Sequence, residues 1–535
     1  MKVGLDLDNT LICYDDVFVT EAKNLGFLSL GWSGGKKDVK KTLSALHDGD
    51  RKWQILQGRV YGPRMCRARL FPGIALFLMR CKARGHQVFI VSHKTEFGHF
   101  DHTRTRLREA ATDWMTERGF FNPCTYSIPR KNLFFLSTRV EKLQQIARLD
   151  LDVFVDDLEE VLLDEQFPAI KKILFGSPSA EHRFISSSES WMDIGYELFG
   201  AVTDQEYLEI LQSTCDQKVI EIARASRGAN SEVFCVTTDA GRKFAAKFYP
   251  DLNTDSRPRL QREVAACNLL QHLNFTPKVV SCQEDLNLGL FEWIEGKKPD
   301  LSSPKAIESA LDFVKSLKSL YDTSDRRFPE SSEACLSTED LTAQIETRLL
   351  VLERIEHQQL QHFLRQHLRP LWNEILSVHR QQISKDAARE SLPLDKQTLS
   401  PSDFGFHNAI EQEEKKIMFY DLEYFGRDDP VKLIADFLWH PGMNLTPTNK
   451  ERWTQGALEI FIDDINLVSR LRTTWGYYGV RWALIILNRF RLFGISESTR
   501  QPGELLSEKF AEEQLKKAEE VYLLLKEHRL ECPYV

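Results

Sequence analysis

The segment Lys2-Val3-Gly4-Leu5-Asp6-Leu7-Asp8-Asn9-Thr10 decides the fold of the first part of this chain. Its apolar beginning is typical of a buried strand, and the two aspartates come at the end of that strand. Because residues two apart on a strand share a face, the side chains of Asp6 and Asp8 are expected to point the same way. Polar groups that end a buried strand are typical of the carboxyl edge of a parallel sheet, where active residues gather.

Short apolar strands alternate with helical stretches over residues 1–200, which predicts a doubly wound parallel sheet of the α/β class. The candidate strands are Val3–Leu7, Val88–Ser92, Val153–Asp156 and Ile173–Phe175. The candidate helices between them include Ile74–Gly85 and Arg139–Leu149. Residues 11–70 interrupt this rhythm and contain the amphipathic run Val39–Leu46, so we expect a mostly helical cap there.

Further polar residues follow the two aspartates in a set order. Ser92 ends the second candidate strand, Lys142 lies on a later helix, and Asp156-Asp157 ends a third strand. In this order the residues resemble the haloacid dehalogenase-like phosphohydrolase superfamily, over residues 1–200. The resemblance implies a Mg²⁺-dependent site that removes phosphate from a small molecule through an aspartyl-phosphate.

The same resemblance implies a role for each residue of this site. Asp6 is expected to be the nucleophile, and Asp8 the general acid and then the general base. Ser92 would donate a hydrogen bond to the phosphoryl oxygens, and Lys142 would neutralise their charge. The expected Mg²⁺ ligands are Asp6, the backbone carbonyl of Asp8, and Asp156, with Asp157 nearby.

Structural interpretations stay open beside these roles. The two aspartates could cap a helix or close a turn. Lys94 or Lys131 could take the place of Lys142, because a lysine on a helix face is often simply solvated. His93 could contact the substrate or be a hydrogen-bonded histidine of a loop.

A second signature, Asp403-Phe404-Gly405-Phe406-His407-Asn408, lies near the other end of the chain. Asp403 and Asn408 have the spacing of a kinase catalytic loop. Asp421 then ends the short apolar strand 417–420. Residues of these types at this spacing can accept a hydroxyl proton and hold Mg²⁺ beside a nucleotide phosphate.

Upstream residues extend this second pattern. The candidate strands are Val219–Ala223, Val233–Thr237 and Phe244–Phe248. The turn between the first two strands holds Ser226, Gly228, Asn230 and Ser231. Lys247 lies on the third strand, Glu263 lies on the next helix, and residues 291–294 have the character of a nucleotide-binding hinge. In this order the residues resemble the aminoglycoside phosphotransferase and choline kinase family, over residues 219–535.

This second resemblance implies a two-lobed, protein-kinase-like α+β domain. A linker at 201–218 would precede an N-lobe at 219–298 and a mostly helical C-lobe at 299–535. Lys247, paired with Glu263, would bind the phosphates of ATP or GTP, and Asp403 would accept the proton of the attacking hydroxyl. The remaining expected contacts are Ser226, Gly228, Asn230 and Ser231 over the phosphates, Glu292 and Ile294 at the adenine, and Asn408 and Asp421 on Mg²⁺.

The catalytic loop departs from the family at two positions. The family usually places His-Gly before the catalytic aspartate, whereas Pro401 and Ser402 stand there in this chain. After Asp421 the chain soon reaches Asp428-Asp429-Pro430, which leaves no room for a long, peptide-binding activation segment. A small-molecule hydroxyl acceptor is therefore favoured over a protein substrate.

Composition limits the alternatives. At 535 residues the chain is expected to form two or three domains, and a net charge of −8 argues against a general nucleic-acid or anionic-membrane binder. The ten cysteines show no CxxC pairing, which is typical of reduced thiols in a cytoplasmic protein. Neither a secretory signal nor an apolar run of membrane-spanning length is recognisable.

The leading hypothesis is a bifunctional enzyme, a phosphatase joined to a kinase, that acts on small metabolites. The expected setting is carbohydrate or envelope-precursor metabolism. One alternative is a phosphatase regulated by a nucleotide-binding pseudokinase. A polynucleotide-end repair enzyme is disfavoured, because the chain is acidic and its kinase-like half lacks a Walker A loop.

Overall fold

The computed structural model describes residues 1–100, 104–179, 186–227, 231–251, 255–324, 326–382, 384–494 and 508–535. The chain forms two units: the first is residues 1–256 with 283–288, and the second is residues 257–282 with 289–535. The first unit thus contains both the amino-terminal sheet and the three strands predicted for an N-lobe. The domain boundaries near residues 200 and 219 stay a prediction.

The first unit contains eleven named strands among its described residues. They are β1 (Lys2–Leu5), β2 (Ile12–Cys13), β3 (Arg69–Leu70), β4 (Gln87–His93), β5 (Leu133–Leu136), β6 (Val153–Asp156), β7 (Lys171–Phe175), β8 (Ser186–Ser188), β9 (Val219–Arg227), β10 (Glu232–Thr238) and β11 (Lys243–Phe248). Six of them form a sheet in the order β5-β4-β1-β6-β7-β8. Every neighbouring pair in it is parallel, which confirms the predicted parallel sheet.

The centre of this sheet is tightly packed around β1. Val3 and Leu5 are fully buried, and Gly4 pairs in register with Phe89 on one side and Phe154 on the other. A Cβ atom on Gly4 would lie 2.5 Å from the Phe154 ring, so the close approach requires glycine here. The central position of β1 places the residues that follow it between the ends of β4 and β6.

The helices of the first unit cover this sheet and form the cap. They are α1 (Asp15–Asn24), α2 (Lys36–Ser44), α3 (Gly49–Tyr61), α4 (Ile74–Ala83), α5 (Leu107–Glu117), α6 (Arg139–Leu149), α7 (Glu159–Leu162), α8 (Trp191–Phe199) and α9 (Asp204–Thr214). Residues 11–70 contain α1, α2 and α3, as the predicted helical cap requires. Aromatic rings hold the cap together: Phe18 stacks on Trp53 at 5.0 Å, and Tyr14 meets Tyr61 at 4.9 Å.

Helix α9 lies inside the segment that the sequence suggested as a linker. Its Glu206 accepts hydrogen bonds from Arg80 Nε at 2.9 Å and from Arg84 Nε at 2.8 Å. Its Tyr207 ring lies 4.7 Å from that of Phe234 and 4.9 Å from that of Phe248, on the antiparallel strands β10 and β11. The helix therefore joins the strands β9–β11 to the parallel-sheet domain through packed contacts.

The second unit is mostly helical. Its helices are α10 (Arg259–Leu270), α11 (Pro304–Thr323), α12 (Thr338–Leu352), α13 (Gln358–Phe363), α14 (Arg369–Gln382), α15 (Lys385–Arg389), α16 (Pro430–Trp439), α17 (Pro447–Ile460), α18 (Leu467–Leu487) and α19 (Glu508–His528). Its strands are β12 (Val279–Gln283), β13 (Leu288–Glu292), β14 (Thr398–Ser400), β15 (Ala409–Glu411), β16 (Ile417–Phe419) and β17 (Gly426–Asp428). Gln283, the last residue of β12, and Leu288, the first residue of β13, are assigned to the first unit.

Stacked aromatic rings form the core of the second unit around the second signature. Phe404 packs against Phe313, Phe419 and Phe437, and Phe437 stacks on Trp453 at 3.8 Å. This packing anchors the loop that begins at Asp403. Among the described helices, none combines the length and the apolar character that crossing a bilayer requires.

Replacing Glu206 should destabilise the first unit. Burial alone would raise the pKa of Glu206. The hydrogen bonds from Arg84 and Arg80 outweigh burial and lower this pKa to about 2. Glu206→Gln leaves two arginines with a neutral partner, so we expect the free energy of unfolding at neutral pH to fall by about 2–4 kcal/mol. Urea denaturation measures this loss.

The same variant has a defined pH dependence. Because the pKa of Glu206 is lower in the folded state, its contribution is complete above about pH 4.5 and is lost as the pH falls towards 2. The difference between wild type and Glu206→Gln should therefore shrink in acid. Glu209→Gln, on the same helix, is the control; an equal loss in both variants would contradict the role of the arginine pairs.

Candidate functional site

The carboxyl edge of the parallel sheet brings the first set of predicted residues together. Asp6 follows β1, Ser92 lies near the end of β4, and Asp156 ends β6. The backbone N–H of Asp6 donates to the Val155 carbonyl at 2.9 Å, which ties the end of β1 to its neighbour. All three side chains are buried. Their proximity follows from the strand order, since β1 lies between β4 and β6.

Lys142 provides the cation of this edge. Its Nζ lies 2.6 Å from Asp6 Oδ1 and 2.6 Å from Asp156 Oδ2, and its side chain is 2% exposed. Burial alone would lower the pKa of Lys142, but the two carboxylates outweigh burial and raise it. The lysine therefore stays charged. Thr138 orients its helix by accepting a hydrogen bond from the Glu141 N–H at 3.2 Å.

The carboxylates of this edge can hold a divalent cation. Asp6, Asp156 and Asp157 each offer an oxygen, and the three oxygens lie within 4.8 Å of one another. Burial, followed by the charge of Asp156, raises the pKa of Asp157 to about 7, and burial also raises that of Asp6. A bound cation would favour the ionised forms, and an all-oxygen set suits Mg²⁺.

Ser92 offers an unsatisfied hydroxyl at this sheet edge. Its Oγ is buried and has no hydrogen-bond partner among the described residues. A buried hydroxyl without a partner is costly, and phosphoryl oxygens are acceptors that would satisfy it. Thr10 supplies a second hydroxyl nearby, 3.5 Å from Asp6 Oδ2 and 3.4 Å from Asp157 Oδ1.

Asp8 has its own partners, separate from those of Asp6. Tyr14 donates its hydroxyl to Asp8 Oδ1 at 2.5 Å, and Lys94 Nζ lies 2.8 Å from Asp8 Oδ2. Lys94 therefore pairs with Asp8, while Lys142 takes the position beside Asp6. Lys131 precedes β5 at the opposite, amino edge of the sheet. The three lysines, which are alternatives by sequence, therefore occupy different places in the structure.

The cap adds residues that the sequence analysis missed. Lys36 Nζ donates to Asn9 Oδ1 and, at 2.9 Å, to the Tyr61 hydroxyl. The Tyr61 ring lies under Lys94, with 4.8 Å between Nζ and the ring centroid. Neither residue belongs to a motif, and the cap sequence carried only an amphipathic pattern. Their place beside Asp8 depends on how the cap folds back over the sheet edge.

The second signature forms a hydrogen-bonded loop in the second unit. His407 Nε2 lies 3.1 Å from Asp403 Oδ1, and Asn408 Nδ2 donates to the Asp403 backbone carbonyl at 3.1 Å. Enclosure by protein would raise the pKa of Asp403, but the hydrogen bond and charge of His407 outweigh it and lower the pKa to about 2. Asp403 is therefore ionised at neutral pH.

A two-stranded hairpin brings the predicted metal residues of this loop to one end. β15 and β16 pair in antiparallel register, with Ala409 opposite Phe419. The Tyr420 N–H donates to the Asn408 carbonyl at 3.0 Å. Asn408 precedes one strand and Asp421 follows the other shortly after its end, so both residues lie at the same end of the hairpin.

Ser402 occupies the position where the family usually has glycine. Its φ of 68° lies in the left-handed region, which glycine adopts without cost and serine does not. The buried Lys432 donates to Ser402 Oγ at 2.9 Å and pairs with Asp428 at 3.3 Å and Asp436 at 3.2 Å. The lysine thus ties Ser402 to a buried ionic cluster behind Asp403.

His407 and His440 form a stacked pair beside Asp403. Their ring centroids lie 3.7 Å apart, with 7° between the planes. Burial, followed by the charge of His407, lowers the pKa of His440 to about 4. Ring-nitrogen lone pairs lie in the ring planes, and nearly parallel planes do not converge on one ion. The pair together with Asp403 is therefore a poor metal site in this arrangement.

The other predicted nucleotide-site residues belong partly to the first unit and partly to the second. In the first unit, Lys247 is buried on β11 with Nζ 4.8 Å from the Tyr249 ring, Ser226 lies on β9, and Ser231 precedes β10. Gly228 and Asn230 lie outside the described residues. In the second unit, Glu263 Oε1 accepts from the Leu422 N–H at 3.2 Å, the Glu292 N–H donates to the Lys278 carbonyl at 2.8 Å, and Ile294 is buried.

Comparison with known proteins finds similarity only at the level of structure. No protein-family model matches the sequence, and no curated protein matches it. Choline kinase LicA from Streptococcus pneumoniae is 13% identical, with a TM-score of 0.40 over 60% of this chain and 99% of that chain. An ethanolamine kinase from Plasmodium vivax is 13% identical, with a TM-score of 0.41 over 65% and 96%.

The structure of an aminoglycoside phosphotransferase, APH(4)-Ia, resembles that of this chain about as closely as the two kinases do. It is 11% identical, with a TM-score of 0.39 over 60% of this chain and 99% of that chain. All three TM-scores lie below 0.5.

Mg²⁺ should stabilise the first unit through the three clustered carboxylates. At saturating Mg²⁺ in nucleotide-free buffer, we expect the free energy of unfolding to rise by about 2 kcal/mol, because the ion binds the folded site only. Asp156→Asn should remove most of this increase. Thermal and urea denaturation with and without Mg²⁺, at constant ionic strength, measure it.

Asp113→Asn is the matched control for this experiment. Asp113 is an exposed carboxylate on α5, so its replacement should leave the Mg²⁺-dependent increase intact. A full Mg²⁺ effect in Asp156→Asn would show that the ion binds elsewhere.

Proposed function

We propose that this chain is a bifunctional, Mg²⁺-dependent enzyme of small-molecule metabolism. The parallel-sheet domain hydrolyses a phosphomonoester, and the kinase-like part transfers the terminal phosphoryl group of ATP to a hydroxyl. One observation carries the first activity: Lys142 bridges Asp6 and Asp156 at 2.6 Å each, and the buried Ser92 Oγ at the same sheet edge has no hydrogen-bond partner among the described residues. These groups supply a nucleophile, a cation and a free donor at one sheet edge.

The hydrolysis proceeds in two steps on Asp6. A carboxylate oxygen of Asp6 attacks phosphorus while the ester oxygen leaves and takes a proton from Asp8, which gives the aspartyl-phosphate and the alcohol. Asp8, now a carboxylate, removes a proton from water as the water oxygen attacks phosphorus. Inorganic phosphate leaves, Asp6 is regenerated, and Asp8 holds a proton again.

The other residues of the edge prepare these steps. Lys142 and Ser92 stabilise the charge of the phosphoryl oxygens, while Tyr14 and Lys94 orient Asp8. Asp6, the Asp8 carbonyl, Asp156 and Asp157 would hold Mg²⁺, which supplies charge neutralisation when bound.

The phosphotransfer half is proposed on its own residues. Asp403, ionised at neutral pH, would orient the acceptor hydroxyl and take its proton, and Asn408 and Asp421 would hold Mg²⁺ at the hairpin end. The expected nucleotide contacts are Lys247, Glu263, Ser226, Gly228, Asn230, Ser231, Glu292 and Ile294. The nucleotide is ATP or GTP, and the acceptor is a small molecule.

A regulatory kinase-like half is the second candidate function. The specific observation in its favour is that His407 already occupies Asp403 Oδ1 and lowers the pKa of Asp403 to about 2, which makes it a weak base. Nucleotide binding without transfer, measured by calorimetry alongside a radiolabelled-phosphate assay, would favour this alternative over catalysis.

Two substitutions separate the proposed activities. Asp6→Asn removes the nucleophile and should lower Mg²⁺-dependent phosphate release at least about 100-fold while leaving ATP-dependent transfer measurable. Asp403→Asn should do the reverse. Phosphate release and labelled-phosphate transfer are measured on panels of small phosphoesters and small alcohols.

The wild-type protein and Asp113→Asn serve as controls for these assays. Absence of both activities across broad panels would refute the proposal, and loss of both activities in either single variant would refute two independent sites.

A further inference from the structure

We infer that the phosphoester hydrolysed at the sheet edge carries a second anionic group on its alcohol part, and that Lys36 of the cap binds this group. The inference rests on the proposed hydrolysis and names its substrate class. The second anion is a carboxylate or a second phosphate, because an ammonium group recognises both.

Lys36 stands on the side of the site where the alcohol part must lie. In the proposed reaction Asp8 protonates the leaving oxygen, so the alcohol lies beside Asp8 and away from Lys142. Lys36 Nζ bonds to the side chain of Asn9, the residue after Asp8, and to the Tyr61 hydroxyl at 2.9 Å. The cap thus presents a cation to the part of the substrate that differs between phosphoesters.

The Lys36 ammonium forms no ion pair with the residues that the structure describes. Among the described residues no carboxylate lies within ion-pair distance of its Nζ; its neighbours are an amide oxygen, a hydroxyl, and the rings of Phe18 and Tyr61 at 5.1 and 5.5 Å. Lys142 and Lys94, by contrast, each pair with a carboxylate at 2.8 Å or less. Of these three lysines, Lys36 is the one left for a ligand.

The environment of Lys36 favours an anion. Burial lowers the pKa of Lys36, and the nearby charges of Asp157 and Asp8 oppose that shift. A half-buried ammonium held by neutral groups is costly, and a bound anion would offset that cost. At the start of helix α2 the Lys36 N–H donates to Asp15, and the N–H of the preceding Gly35 donates to Asp38. The Lys36 side chain is the charged group that this turn offers to a ligand.

Matched substrates test this inference. Phosphoglycolate and hydroxyethyl phosphate differ mainly in a carboxylate, and a hexose bisphosphate and a hexose monophosphate differ in a phosphate. Wild type should prefer the anionic member of at least one pair in kcat/KM. Lys36→Met should lower that preference about 10- to 100-fold, the size expected for one charged hydrogen bond, whereas Lys36→Arg should largely keep it.

The control is Lys37→Met, which removes an exposed lysine from the same turn of α2 and should leave the preference unchanged. If Lys36→Met lowers the preference for phosphoglycolate, the second anion is a carboxylate. If it lowers the preference for the hexose bisphosphate, the second anion is a phosphate. Unchanged preferences in Lys36→Met, or equal losses in Lys36→Met and Lys37→Met, would overturn the inference.

A binding experiment separates failure of this inference from failure of the proposed hydrolysis. If wild type hydrolyses none of the four esters, calorimetry compares phosphoglycolate and hexose bisphosphate binding to Asp6→Asn and to Asp6→Asn/Lys36→Met, with Mg²⁺ present. Binding that weakens about 10-fold or more in the double variant supports the anion site without the reaction. Equal or absent binding in the two variants overturns it.

Discussion

The parallel-sheet domain depends on one buried ammonium group. Lys142 lies between Asp6 and Asp156, and without it two buried carboxylates would face each other across the ends of β1 and β6. Carboxylate oxygens of Asp6 and Asp156 lie within 4.8 Å of each other, and charges this close repel strongly in a poorly solvated site. The Lys142 ammonium offsets that repulsion, so that Asp6 and Asp156 can lie close together in a buried site. In the proposed hydrolysis the carboxylates would hold Mg²⁺, and the ammonium would face the phosphoryl oxygens.

The second unit uses a buried lysine in a different way. Lys432 pairs with Asp428 and Asp436 and also donates to Ser402, so a charge cluster behind the loop supports the residue before Asp403. This support accounts for a serine in the left-handed conformation at position 402. Lys142 pairs with Asp6, the residue proposed to react, whereas Lys432 donates to Ser402, the residue before the proposed base Asp403.

Much of the first site could be predicted because its residues end strands. A buried apolar strand followed by a polar residue is a local pattern, and the parallel order places such residues at one edge. Strand β8, made of Ser186–Ser188, escaped prediction because its serines show no hydrophobic alternation. The half-buried edge strand β5 (Leu133–Leu136) was missed as well. Tyr14, Lys36 and Tyr61 were missed as site residues because only the folded cap brings them to Asp8.

The sequence by itself determined the parallel sheet, the helical cap and the identity of the charged residues that end its strands, because these depend on local periodicity and order along the chain. The tertiary structure decided which lysine serves which carboxylate: Lys142 serves Asp6 and Asp156, Lys94 serves Asp8, and Lys36 serves none of those described. It also decided that Lys432 supports Ser402. Ion pairing depends on distances between segments far apart in sequence, and only the packed chain sets those distances.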